Sequence, residues 1–590
     1  MTTKLQQLYR DELSFLRLQG KAFAKRHPQL SRFLAEESAD PDVERLLEGF
    51  AFLTARLREK IEDDFPELTG SLINLLWPNY LRPIPSMTIM RFDPSPESIT
   101  HHQVVPKGTL VRSGGGESED CRFHTVADLD VYPLVINDVG ESRSRDKSIV
   151  TVTLTTLTEQ PMATIGCAQL GFYLSGDAYT ALTIYMWVFR YLDQLVIKNG
   201  DKTTRLSVTD IDKCSFSSRE ALLPYPKNVF DGYRIIQEYL AFPQRFYYFK
   251  LTNLDRCWSD GGASEVTMEF HFNRPMTSDI KIRRHDFSLY CVPAINLFKH
   301  SSEPVLMTGE RVSYPLIPSN KEKGDLEIFS VEEVTSAIKD STGKKIEQTR
   351  RYPPFESFQH EVERHHGRKE LYYRLSVKPA VDNDGLDHYL SFVRSDEQHH
   401  VGCYEIVSAE LYCTNGARPQ MLGIGDITER SQETPSFINF TNITKPTPSY
   451  PPVLDGSLHW TLLSNMALNY LSILNKEPLK NILRTYDFAA QYDIQAQRRS
   501  QQRLDGIKDI TSKPVDMLLK GLPARGLESV MTVDQTAFLC EGEVYLFGTV
   551  LSKFFSLYSS INSFHLLKIH NLSNNENYLW KMEPGKQPLI

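Results

Sequence analysis

The stretch HEVERHHG, His360 to Gly367, contains the residue types of a zinc-protease helix. In such a helix two histidines one turn apart bind the metal, and a glutamate serves as base. The spacing here defeats that reading. His360 and His365 stand five residues apart, which on a helix separates them by about 140°, too far to share one ion. Gly367 suits a helix C-cap instead, with His365 and His366 at the negative end of the dipole. A metal-dependent hydrolase or effector built on the His360 region is kept as the alternative function. His101–His102 and His399–His400 are adjacent pairs, whose side chains point to opposite faces of a strand; solvent exposure suits them better than ligation. RSGGGESED, from Arg112, has three glycines but no following Lys-Ser or Lys-Thr, so it reads as a flexible loop rather than a phosphate cradle. No GxSxG elbow and no recognisable local Cys–His signature occur. Asp63–Asp64 fits a charged helix face. The sequence offers no credible active site, and the expectation is a non-enzyme with no metal and no cofactor.

The elements that could position a functional surface are easier to read. DPDVERLLEGFAFLTARLREKIEDDFPELT, Asp40 to Thr69, predicts one long helix. Asp40 is a good N-cap and Pro41 sits at the first helical position. Asp42 and Glu44 complement the dipole, and Pro66 stops the helix. Val43, Leu46, Leu47, Phe50, Leu53, Leu57 and Ile61 recur at three- and four-residue steps as one apolar stripe. Ala51, Phe52 and Ala55 lie off it, and small residues beside a bulky aromatic allow a second helix to approach closely. The stripe reads as the core-facing side, so Leu47→Asp is expected to unfold the N-terminal region.

A chain of 590 residues is too long for one core, so several domains are expected. The predicted fold class is α+β multidomain: an N-terminal helical region, mixed β-rich domains, and a C-terminal α/β region. The boundaries read as 1–85 helical, 86–300 mixed α/β, 301–456 β-rich and 457–590 α/β. TVTLTTLT alternates as a half-buried strand should. FYLSGDAYTALTIYMWVFRYLDQLVI reads as a strand, a Gly-Asp turn and a helix packed on several faces, too short and too polar for a membrane span. Pro243 interrupts EYLAFPQRFYYFKLTNL, giving a loop that enters a strand. Short strands and Pro/Ser/Thr/Asn-rich loops from about 300 to 460 suggest a sandwich or barrel. A ligand-binding role for that module would use Tyr352, Phe355 and Trp460, aromatics that are more often core. QYDIQAQRRSQQRLDGIKDITSKP is polar and expected to be exposed, whereas YLFGTVLSKFFSLYSSINSFHLL has an apolar helical core. The net charge of −8, without a long basic run, argues against nucleic acid as main partner. The charged N-terminus lacks a secretory core, and eight scattered cysteines suit reduced thiols in the cytoplasm.

DPDVERLLEGFAFLTARLREKIEDDFPELT followed by LLWPNYLRPIPSM closely resembles the N-terminal signature of the TssF family (also called ImpG or VasA), the baseplate subunit of bacterial type VI secretion systems. Further matches follow in order: KGTLVRS with CRFHT, FYLSGD, EYLAFPQRFYYFKL, CVPAINLF, TNGARP, KPTPSYPP leading to LNYLSIL, and LFGTVLSKFFSLYSSINSF. Two depart from the family pattern: His124 stands where Arg is expected before Thr125, and TNGARP replaces an acidic-Leu-Pro form. The resemblance implies a structural subunit of the baseplate wedge, with two copies around one TssG and the wedge docking the TssK adaptor. It further implies joining through TssE around the VgrG hub, with the inner tube and sheath as indirect partners. The implied place is the bacterial cytoplasm, beside the inner-membrane complex and without membrane insertion. It also implies that N-terminal helices bundle between subunits. Ala51, Phe52 and Ala55 then become the expected inter-subunit face, with Arg56, Arg58, Glu62 and Asp63 as its charged rim. Phe52→Asp is expected to leave the chain soluble and abolish co-purification with TssG.

Overall fold

A computed structural model describes residues 9, 10, 13, 16, 45–55, 73, 74 and 77–585, apart from 97, 115–119, 159, 215, 226–230, 259–262, 308–310, 320–325, 340–345, 356–370, 381–384, 395–404, 433, 436, 454–473 and 520–521. The chain divides into two compact units. One holds residues 1–81 and 453–467; the other holds 82–452 and 468–590.

In the larger unit, the Val/Leu/Thr alternation of TVTLTTLT does form a strand. Ser148–Thr156 alternates buried and half-buried positions throughout, between Leu134–Arg143 and Glu265–Phe272 in an antiparallel sheet. A six-stranded sheet has the order Ile427–Arg430, Leu110–Ser113, Arg122–Thr125, Cys291–Ile295, Met87–Pro94, Ile438–Asn442. Hydrogen bonding therefore crosses residue 300, because strands on both sides of it share this sheet. The buried run FSLYCVPAINLF is two strands. Phe287–Leu289 joins a four-stranded sheet, Cys291–Ile295 joins the six-stranded one, and Tyr290 between them takes φ 53°. That left-handed residue, uncommon for a bulky side chain, lets the chain change sheets.

Strands within residues 298–414 form a β module of two facing antiparallel sheets. Glu405–Thr414 pairs with Phe298–Ser301, Val305–Met307 and Glu327–Lys339; Leu386–Arg394 lies between Tyr314–Leu316 and Leu371–Pro379. Phe298, Leu316, Val334, Leu390, Phe392 and Leu411 fill one core between the sheets.

The helical centre comes from distant parts of the chain. Asp177 caps helix Ala178–Met186, its carboxylate accepting the Thr180 N–H at 3.4 Å. Among the described residues no helix is long and apolar enough to cross a membrane. Helix Asp231–Ala241 stops before Pro243, and strand Tyr248–Leu251 follows a short 3-10 turn. Helix Glu541–Tyr558 buries 14 of its 18 residues and leaves almost no solvent face, as a helix with apolar residues on every side requires. It packs on both earlier helices. It also serves as the crossover joining the parallel strands Leu522–Val533 and Phe564–Asn571, a connection that parallel pairing requires. The polar run before this sheet forms the largely exposed helix Ile494–Gly506.

Candidate functional site

Residues 45–55, the described part of the predicted N-terminal helix, are helical and reverse the orientation expected from their periodicity. Leu46, Phe50 and Leu53 are 74%, 59% and 60% exposed, whereas Ala51 and Ala55 are fully buried. At about 100° per residue, Leu46, Phe50 and Leu53 lie within about 60° of one another and the two alanines lie on the opposite side. Leu47, between the faces, is half-buried, and Phe52 is 45% exposed. The small residues are thus the packed side and the bulky stripe is the open one. The physical reason is size: Ala permits close approach of a neighbour within the chain, so that face is taken first. The three- and four-residue spacing of Leu46, Phe50 and Leu53 is the sequence signal for this open face. Arg56, Arg58, Glu62 and Asp63 lie outside the described residues, as do His360, His365, His366, His399, His400 and Trp460.

Several other reactive groups among the described residues are held in ways that serve packing. Among the described residues, no group of three or more metal-ligating side chains comes together. Burial pushes the thiols of Cys121, Cys167 and Cys413 up, to about 11, 12 and 12, so they stay protonated at neutral pH. Burial lowers His388 to about 4 and His565 to about 3, which keeps both neutral within the core. His102, exposed like His101, contacts Asp130 at 2.9 Å and stacks on Tyr132 at 4.8 Å; the other Asp130 oxygen accepts from Gln169. Tyr352 is core, 2% exposed, and its hydroxyl donates to buried Glu405 at 2.5 Å. Ser336 also donates to Glu405, at 2.7 Å, and Phe355 packs edge-on against Tyr372. These are the marks of structural satisfaction.

One charged cluster is largely enclosed, with only Asp231 reaching solvent. Arg234 donates to Glu238 at 2.9 Å and to Asp231 at 2.6 Å, and Arg245 also donates to Glu238. Arg234, Glu238 and Arg245 have no exposed surface. Burial pulls Arg245 down while the Glu238 charge opposes it. The cluster ties helix Asp231–Ala241 to the following turn and to the carbonyls of Phe216 and Glu220.

Comparison with known proteins gives this architecture a class. A family model described as "Type VI secretion system, TssF" matches residues 1–587. A curated relative, the type VI secretion system component TssF1 of Pseudomonas aeruginosa PAO1, is 25% identical, with both chains covered in full. A chain of the type VI secretion TssK–TssF–TssG baseplate subcomplex, solved by cryo-electron microscopy, superposes with TM-score 0.76 at 28% identity. That match covers 93% of this chain and 99% of the other. A chain from a second structure, the type VI secretion baseplate complex, gives TM-score 0.64 at 25% identity over 99% and 100% of the two chains. The class is therefore a component of the type VI secretion system. The chain belongs to the TssF family, which supplies a component of the baseplate.

Proposed function

We propose that this protein is a structural subunit of the baseplate wedge and acts by protein contact, without catalysis. Two copies pair around one TssG, and the wedge docks TssK. TssE joins wedges around the VgrG hub, from which the inner tube and contractile sheath grow. The protein works in the bacterial cytoplasm and is recruited to the membrane-anchored complex. The observation that carries this reading is the outward Leu46–Phe50–Leu53 face. Val43, Leu46, Phe50, Leu53 and Leu57 are spaced three, four, three and four, the a/d pattern of a coiled-coil seam. Leu46, Phe50 and Leu53, the described part of that pattern, stand open, and an open seam calls for a helix from another chain. Each Leu or Phe covered there contributes about 1.5–3 kcal/mol. Phe52, on the flank, stays in the proposed interface; Ala51 and Ala55 support it from beneath. Arg56, Arg58, Glu62 and Asp63 remain its proposed rim.

Phe50→Asp tests this. The variant is expected to remain soluble, because Phe50 is open in the single chain, and to lose co-purification with TssG; Phe52→Asp weakens it less. Ala55→Asp buries a charge and is expected to unfold the N-terminal helix. Retention of TssG by the Phe50 variant would remove this face from the wedge contact.

A further inference from the structure

A groove of about 760 Å³ opens in the larger unit, between the six-stranded sheet, the stretch from Ala221 to Tyr225 and the β module. Its floor is apolar: Leu222, Leu223, Leu297 and Phe298, each between 2% and 8% exposed and so already locked by packing. Two lysines from separate elements reach it, Lys107 and Lys299. The Lys107 ammonium donates to the Arg219 carbonyl at 2.9 Å, a contact that positions the charge without neutralising it. Lys299 is paired with Glu332 at 3.0 Å, but the two side chains are 63% and 38% exposed. Exposed pairs contribute little, so Lys299 can exchange that partner for another carboxylate at small cost. Asp231, also in the lining, is held by Arg234 and by the Ser218 hydroxyl, at 2.6 and 2.8 Å. Its negative charge is already answered. A preformed apolar floor flanked by two lysines, one donating only to a carbonyl and the other held in an exposed, exchangeable pair, selects a large apolar group flanked by carboxylates.

We infer that this groove docks an extended acidic segment of a partner protein, one aromatic or large aliphatic side chain entering the floor between Lys107 and Lys299. The choice of a protein segment over a small amphipathic anion rests on the assembly role proposed above. The groove chemistry itself does not depend on that role.

The test uses the full chain and fluorescein-labelled peptides, Asp-Asp-Phe-Asp-Asp against Lys-Lys-Phe-Lys-Lys, read by anisotropy. The acidic peptide is expected to bind at least about tenfold more tightly than the basic one, and to weaken with salt. The double variant Lys107→Glu/Lys299→Glu should lose that preference while its circular dichroism and melting stay unchanged, since both side chains are on the surface. Equal binding of the two peptides, or unchanged acidic-peptide binding by the double variant, overturns the inference. Lysine-dependent binding of dodecanoate without binding of the peptide also overturns it, by making the occupant a small anion. Phe50→Asp should bind the acidic peptide like the parent. Loss of peptide binding alongside intact TssG co-purification therefore sinks the groove and leaves the wedge reading standing.

Discussion

Glu238 carries more consequence than its single charge suggests, because two buried guanidinium groups depend on it. Glu238→Gln keeps the shape and removes the counter-charge, leaving Arg234 with the partly exposed Asp231 and Arg245 with none of its former carboxylate. A loss of about 3–5 kcal/mol is expected, read as a lower urea midpoint. His565 governs acid sensitivity in a similarly local way. It is fully buried, 2.9 Å from the Ser529 hydroxyl and edge-on to Phe555, and burial lowers it from 6.5 to about 3. Below pH 6.5 the unfolded chain takes up a proton that the folded chain refuses until about pH 3. Stability is therefore complete above pH 6.5 and falls through that window by about 1.4 kcal/mol per pH unit. His388, lowered to about 4, adds a slope of the same sign. His565→Gln is expected to flatten the change in urea midpoint between pH 7 and pH 5. An unchanged slope would show that the imidazole is not the group responsible.

The helices meet through glycine. A Cβ at Gly542 would collide with the backbone of Leu182, in helix Ala178–Met186, which no rotamer change can relieve. Gly542→Ala gains up to about 1 kcal/mol of helix propensity but is expected to lose more by separating the helices. The net outcome is a lower melting temperature, measured by calorimetry; a rise would mean that the helices can part without cost. Helix 45–55 illustrates the opposite case, an element whose best apolar face finds no cover in its own chain. Its helical period was legible over 45–55, because it depends on residues three and four positions apart; the expected caps at Asp40, Pro41 and Pro66 lie outside the described residues. Which face turns inward depends on which neighbour fits, and Ala51 and Ala55 fit more closely than Leu and Phe.

The larger unit holds together as a whole through contacts far apart in sequence. Tyr233 stacks on Tyr486 at 4.9 Å and meets Phe554 and Tyr558, each at 5.9 Å. Ending the chain at Asn475 removes these partners and helix Glu541–Tyr558, uncovering aromatics that each bury about 150–250 Å². The shortened protein is expected to aggregate or to bind a hydrophobic dye strongly. A soluble, dye-silent fragment would refute the shared core.

Sequence alone determined the class of this protein, the α+β character, the helix that begins after the Gly176-Asp177 turn, the break at Pro243 and the strand at Ser148–Thr156. Caps, prolines and two- or three-to-four-residue periods encode those features locally, and the ordered run of family motifs encodes the class. Only the tertiary structure decided that Met87–Pro94 pairs with Ile438–Asn442, that helix Glu541–Tyr558 is interior, and that Leu46, Phe50 and Leu53 face outward. The groove beside Lys107 and Lys299 was likewise invisible, since its walls come from segments as far apart as Lys107 and Tyr412. Pairing, burial and concavity are settled by competition among distant segments for the same space. No local period records the outcome of that competition.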